Sequence, residues 1–474
     1  MKAKKEGYVY LFFILSLIII ALSGYYLFNA SIMTNEKTRL QNTSDAVAYS
    51  VATVQARDFN FIAYTNRAMI ANQVALAQTI SLISWSRYIG DLSDKLRNIS
   101  RYFQISGPVG TTISSVLQAS FSGALHLAQG TERVLTPYVA TINSVINLLE
   151  ESQSTMHFGS VIMMNNMKDL IAKENDTDVR SVGLLQTSLY ANSMIKNHFG
   201  SAKLFNPMNI SNPLSHRDEH KIKMDEMKNI TLSSRDEFSA RREVRLDFPI
   251  ISPLLRARMH YLGGTDIHKG ARNNHYYNWM AMDTASFHIG ARRLSGWRWN
   301  EIPFAYGAAQ AAKNNYFDFS YARNKQSDLD KAWSINKKSA ALATLTTKAR
   351  GNISHLGGIR PFFELKNKGL IEELPGVIIL LEKDFGSPSS IKTAKNSGFS
   401  QKNSSFNIES NLSSSNNKIF AASKAGAYFS RPQGLMSRSD NAREYANLYS
   451  PYWIARLKDL SEAELIGIQS SVGM

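Results

Sequence analysis

Cysteine is absent from all 474 residues. That absence excludes disulfide frameworks, cysteine-ligated metals and thiol nucleophiles together. It is compatible with an oxidising compartment without requiring one. Acidic side chains are in deficit: 38 Asp and Glu stand against 54 Lys and Arg, a formal net charge of +16. So basic a balance suits an anionic neighbour such as lipid headgroups, an anionic envelope polymer or an acidic protein. The clusters Arg241-Arg242, Arg256/Arg258 and Arg292-Arg293 are short and scattered, so a dispersed solvated surface is the simplest expectation. Nucleic acid is not expected among the partners. Internal repeats are missing, and long apolar runs are missing with one exception.

The exception lies at the N-terminus. Tyr8 to Phe28 carries no charge, and about 20 such residues in a helix cross a hydrocarbon core of roughly 30 Å. Tyr8 and Tyr10 flank one end and Tyr25 and Tyr26 the other, where amphipathic rings favour the headgroup level. Lys2, Lys4 and Lys5 precede the run, and basic flanks stay cytoplasmic. The expectation is therefore a basic cytoplasmic tip at 1–7, a transmembrane helix at 8–30 and a periplasmic remainder on a bacterial inner membrane. A cleaved signal peptide would have a shorter apolar core and a small-x-small site. The nearest such site here, Phe28-Asn29-Ala30, has a bulky Phe28.

Beyond the span the pattern stays helical. Leu40, Ser44, Val47, Val51, Val54, Asp58 and Phe61 recur in steps of three and four, which puts them on one helix face. Met69, Leu76, Ile80 and Ile83 define a different phase, and the change predicts a bend or break near Phe61 to Asn66. Helical signals dominate from Thr111 to about His198, with interruptions at Gly107-Pro108, Gly130 and Glu174 to Asp178. Strand-like runs follow at Glu243 to Ile251, Ala285 to Ala291, Pro303 to Tyr306, Gly376 to Leu381 and Ile419 to Tyr428, with a short helix from Ser461. Lys392 to Lys418 is rich in Ser, Asn and Lys and buries too little to offset its ordering entropy. The expected architecture is α+β: a helical region at 31–200 and a mixed α/β domain at 201–474 with a flexible loop at 386–418.

Gly7 before an apolar helix, then Arg39-Leu40-Gln41-Asn42 and Asp45-Ala46 with Ala48, resembles the N-terminal segment of TadE/TadG-like proteins of Flp-type (tight adherence) pilus assembly. Ala63-Tyr-Thr-Asn-Arg-Ala-Met69, Ala71-Asn-Gln-Val-Ala75 and the tail Arg443 to Leu457 are similar to a larger subgroup of that family. The resemblance covers roughly the first 80 and last 40 residues. It implies an envelope-anchored accessory component of a type IVb pilus or related secretion machine, with a pilin-like first helix and pilin-like subunits as partners. Arg39, Leu40, Gln41, Asn42 and Asp45 are then the expected seam for docking a partner helix, since polar seam residues set register. Gly7-Tyr8 matches a prepilin-type processing site. The fifth position after it is Phe12 where pilins carry Glu, so a permanent anchor is the expected state and a processed minor pilin the alternative. An integrin-type adhesion domain needs Asp-x-Ser-x-Ser. Asp283-Thr-Ala-Ser286 has the wrong spacing.

No catalytic residue, cofactor or metal ligand is expected. His216 and His220 are spaced as a helical metal pair, yet they lack the productive His-Glu-x-x-His order and sit in a charged run expected to be a solvated helix. His260, His268 and His275 with Asp266 cluster in a Gly/Asn-rich stretch. They are the residues an alternative function, an envelope enzyme or module binding anionic polysaccharide, would use. Ser334-x-x-Lys337 and Ser389-x-x-Lys392 lack the companion elements of penicillin-binding enzymes. Arg292 to Trp299 interleaves cations with aromatics as sugar- and base-binding surfaces do; an amphipathic strand with Trp297 and Trp299 on one face is the simpler reading. Tyr449, Tyr452 and Trp453 are expected to form a packed corner.

Overall fold

A computed structural model describes the chain apart from residues 1–2, 182–189, 207–216, 249–253, 270–276, 313–328, 356–357, 367–373, 385–417, 432–445 and 473–474. The protein is α+β. Helix α1 runs Ala3–Ser100 and α2 Pro108–Asn175, followed by α3 (Arg217–Ser233), α4 (Glu237–Ala240), α5 (Leu329–Ile335), α6 (Lys337–Arg350) and α7 (Glu462–Val472). The strands are β1 (Val179–Ser181), β2 (Ala202–Phe205), β3 (Arg242–Asp247), β4 (Leu255–Lys269), β5 (Tyr277–Arg293), β6 (Gly296–Ala311), β7 (Phe362–Leu365), β8 (Val377–Asp384), β9 (Lys418–Phe429) and β10 (Trp453–Lys458).

The expected break at Phe61 to Asn66 does not occur, because α1 is continuous there. Neither glycine nor proline stands between Gly24 and Gly90 to interrupt it. The two phases are two successive buried faces. Leu40, Ser44, Val47, Val51, Val54 and Asp58 are buried in the first, and Met69, Leu76, Ile80 and Ile83 in the second. The switch of face coincides with a division of the chain into two compact units, which falls at Ala63 in α1. Gly130 likewise leaves α2 unbroken, whereas Gly107, at φ 85°, does separate the long helices.

One unit comprises Met1–Ala63, Thr155–Lys203 and Leu365–Met474. Its antiparallel sheet has the order β1-β8-β9-β10. Val377, Ile379 and Leu381 of β8 face α1 and α2, while Ile378 and Leu380 face Ile468 of α7. A strand covered on both faces reads as an unbroken apolar run, which is why Val-Ile-Ile-Leu-Leu shows no alternation. Ala48 and Ala52 of α1 and Ala421 and Ala425 of β9 belong to the same core.

The other unit comprises Tyr64–Ser154 and Leu204–Glu364. Its antiparallel sheet β3-β4-β5-β6 presents Met280 and Met282 to α5 and α6 and Ala285 and Ala305 to Tyr88 of α1. Side-chain alternation along β5 separates these two faces. α1 lies so close to β6 that a Cβ on Gly307 would meet Ser84 O and Tyr88 N at 2.3 Å. Asp283 is fully buried on this side. It accepts from Arg242 Nε (2.7 Å) and Nη2 (3.0 Å), from the Tyr261 hydroxyl (2.7 Å) and from the Ser84 hydroxyl (2.6 Å). With four donors, that carboxylate is a structural centre.

α1 is also the one helix among the described residues long and apolar enough to cross a membrane, and the residues of that span are exposed. Tyr8, Phe12 and Ile20 are each at least 70 % accessible.

Candidate functional site

The seam at Arg39 to Asp45 binds inside its own unit. Leu40 is fully buried in the core. Gln41 Nε2 donates to Asp45 Oδ1 (3.0 Å), Ala422 O (3.2 Å) and Ser423 Oγ (3.0 Å), and the Ser423 hydroxyl donates to Asp45. These residues thereby hold α1 against β9. Arg39 and Asn42 remain exposed, Arg39 lying 3.6 Å from Asp176. Asp176 also pairs with the buried Lys383, at 2.7 Å, and Glu36 holds the same ammonium at 2.7 Å. Gly7 and Tyr8 lie within α1.

Further along α1 a second polar group is closed off entirely. Asp58 comes from α1, His157 and Ser160 from α2, and His198 from a π-helical turn at Ile195–Phe199. Turns of that type are rare and concentrate at functional sites. His157 Nδ1 stands 2.8 Å and His198 Nε2 3.5 Å from Asp58 Oδ2. The two imidazoles stack with centroids 4.2 Å apart. All three residues are 0–1 % accessible. Phe59 stacks on the far side of His198 and meets Trp453 edge-on, while Phe199 packs edge-on to His157. Gln55 fixes the turn: Asn197 Nδ2 donates to Gln55 Oε1 at 2.9 Å, and Ala427 N–H donates to that oxygen at 3.1 Å.

Burial pushes His198 down to about 4. The neighbouring His157 adds to the shift, whereas Asp58 and the His157 carbonyl oppose it. At neutral pH the ring is therefore uncharged. Its Nε2 faces the His157 carbonyl (3.0 Å) and the Ser160 hydroxyl (2.8 Å), and that hydroxyl itself donates to the same carbonyl. The proton accordingly belongs on Nε2, and Nδ1 holds a lone pair. Neither His198 Nδ1 nor Asp58 Oδ1 has a hydrogen-bond partner, although both are buried. Buried polar atoms are normally paired, so two orphans in one cluster call for an explanation. A donor atom from each of Asp58, His157 and His198 lies within 4.8 Å of the others, and this trio is the set that could hold a metal.

Among the histidines singled out from sequence, His260 and His268 are not brought together. His260 and His268 lie on β4, not in a loop, eight residues apart and so roughly 26 Å along the strand. His260 instead neighbours His288, ring centroids 5.5 Å apart; Asp266 is buried and its carboxylate accepts from Ile267 N–H at 2.8 Å. His275, His216, Ser389 and Lys392 lie outside the described residues. So does the expected flexible loop except Lys418, which begins β9. His220 is buried against Phe205, and Met224 and Met227 share its buried face, so α3 is not a wholly solvated helix. Ser334 donates to Lys331 O and Lys337 opens α6.

The cation–aromatic stretch does form an amphipathic hairpin. Trp297 and Trp299 share a face, with Arg256 over the first ring at 4.5 Å and Arg258 over the second at 3.9 Å. Trp453 is buried between Phe59 and Phe429, with Tyr452 beside Phe429. That arrangement is the packed corner. Comparison with protein-family models, curated proteins and solved structures finds no match to this chain. Sequence reasoning missed His157 and His198. The available signal was Asp58, an acid on an otherwise apolar seam, which cannot be buried without a counter-group.

Proposed function

We propose that this protein is a membrane-anchored structural component in the assembly or anchoring of a Flp-type (type IVb) pilus or related surface machine, similar to TadE/TadG-like proteins. One observation carries the reading. A single helix supplies both the exposed apolar span and, farther on, the buried faces of the two units. An anchor continuous with the fold transmits position from the membrane into the folded part, which is a mechanical rather than a catalytic arrangement. Cytoplasmic placement of the basic tip, with the bulk on the periplasmic side of the inner membrane, follows from the charge flanking the span.

Surface chemistry points the same way. Leu127, Val134, Tyr138 and Val145 recur along α2 at helical spacing and are all exposed. Exposed apolar surface of this extent marks interaction sites. Arg39 and Asn42 add polar groups on the solvent side of α1. Photocrosslinkers placed at Leu127, Val134 and Asn42 in cells should capture other envelope subunits, with pilin-like chains the expected class. Unchanged fractionation after removal of Tyr8 to Phe28, together with no crosslinks at all three positions, would refute the reading. N-terminal mass analysis distinguishes the minor-pilin alternative, for which the chain would begin at Tyr8. Binding of an anionic polysaccharide is a second reading, supported by the Arg256/Trp297 and Arg258/Trp299 stacks. It predicts polymer affinity that falls on Trp299→Ala.

A further inference from the structure

We propose that Asp58, His157 and His198 form a binding site for a divalent transition-metal ion of the zinc class, which clamps α1, α2 and the Ile195–Phe199 turn together.

The donor set is the first argument. Two imidazoles and one carboxylate suit zinc and its neighbours in the first transition row, which take nitrogen and oxygen ligands together. Magnesium and calcium prefer all-oxygen shells and are excluded by the same chemistry. The Ser160 hydroxyl, 2.8 Å from His198 Nε2, is at hand for a further position.

Distance is the second. The three donor atoms lie within 4.8 Å of one another, whereas two donors on one tetrahedral zinc stand about 3.3 Å apart. Closing that gap takes a displacement of less than about 1 Å per donor. A neutral imidazole presents one lone pair in either tautomer, so ligation through Nε2 exchanges the contact with the His157 carbonyl for the metal and moves the His198 proton to Nδ1. That nitrogen is the buried atom without a partner.

Charge is the third. Asp58 is wholly desolvated with Phe59, His157 and His198 around it, and a buried carboxylate is stable only when compensated. A divalent ion beside Asp58 supplies that compensation. The residues joined are far apart in sequence, by 99 positions between Asp58 and His157 and 41 between His157 and His198. Closing long loops is where a cross-link stabilises most. A chain without cysteine cannot make that cross-link with a disulfide, and metal binding supplies it because binding free energy is folding free energy.

The test uses the full chain, purified in detergent, stripped with chelator and free of any histidine tag. Titration with Zn2+ should show one equivalent bound, with a rise in Tm. Co2+ should give the visible d–d absorption of a low-coordinate site, a signature that nonspecific surface binding lacks. Asp58→Asn and His198→Gln should each abolish stoichiometric uptake and the Co2+ spectrum, while His260→Gln should leave both unchanged. Failure of the wild-type chain to bind Zn2+ or Co2+ overturns the proposal without recourse to any variant. Equal uptake by wild type and His198→Gln, in variants whose circular dichroism shows them folded, overturns it as well. None of these readouts depends on the pilus reading, so the two stand or fall separately.

Discussion

Replacing Arg242 by methionine strands the Asp283 carboxylate in the sheet core. Asp283 is inaccessible to solvent, and the Arg242 side chain is only 5 % accessible. Burial alone would lower the Arg242 pKa, but Asp283 and Tyr261 together outweigh it and raise the pKa, so the guanidinium is charged in the folded state. The substitution keeps the side-chain stem and removes both guanidinium bonds, leaving only the Tyr261 and Ser84 hydroxyls. Breaking one side of a buried pair costs about 3–5 kcal/mol, mostly for the charge left behind. Asp283→Leu alone leaves Arg242 in the same position and should cost a similar amount. The double variant removes both charges and should be far less destabilised than the sum, with a coupling of about 2–3 kcal/mol. Trp279 is a convenient reporter, being fully buried on β5 and hydrogen-bonded to Gln73 of α1. Urea unfolding followed by its fluorescence, in a variant lacking the other tryptophans, gives the four free energies. If Arg242→Met costs under about 1 kcal/mol, or the two single effects simply add, Asp283 is not the compensated charge the geometry describes.

Gly307→Ala drives a methyl into the α1 backbone at Ser84 and Tyr88; because backbone cannot rotate away, a loss of about 2–4 kcal/mol is expected in the same assay. Glu464 closes a capping box at the start of α7, where Ser461 N–H donates to its carboxylate at 2.8 Å and its own N–H donates to Ser461 Oγ at 3.3 Å. Burial works to raise its pKa, but the bonds from Lys424 and Ser461 prevail and hold it below the ordinary value. The unfolded state therefore takes up the proton first, and the contribution is present above the unfolded pKa and lost as pH falls through the folded one. Hydrogen exchange at 462–472 should accelerate under acid in the wild type and show a flatter pH dependence in Glu464→Gln. Trp299→Ala removes a partly exposed stack with Arg258 and should cost under about 1 kcal/mol; a larger loss would mean the hairpin contributes to the core.

The sequence by itself was enough for whatever depends on neighbours within a few residues. An uncharged run of membrane-spanning length, flanked by lysines and tyrosines, marks the candidate span without any contact. The periodicity of Leu40 to Phe61 and of Met69 to Ile83 identified the two buried faces, with Phe61 only half-buried at the end of the first, because helix geometry alone relates i to i+3 and i+4. Strands β3, β5, β6, β8 and β9 were found through β-rich composition, as was the helix that begins beside Ser461. The same local logic misread the phase change at Phe61 as a break. A helix can run on unbroken while the surface packed against it changes, and only the packing tells those cases apart.

Tertiary structure alone decided which polar residues meet. His260 and His268 are close in sequence, yet a strand keeps them far apart. Asp58, His157 and His198 are distant in sequence, yet His157 meets Asp58 at hydrogen-bond distance and His198 stacks on His157. Nothing local to His157 or His198 distinguishes them from other histidines. Their proximity arises because α1 and α2 contribute to one core, and the Asn197–Gln55 and His198–Ser160 bonds hold the π-helical turn against α1 and α2 respectively. Asp58 itself was visible as an acid on an apolar seam. What answers its charge is a question of long-range packing, which no spacing rule encodes.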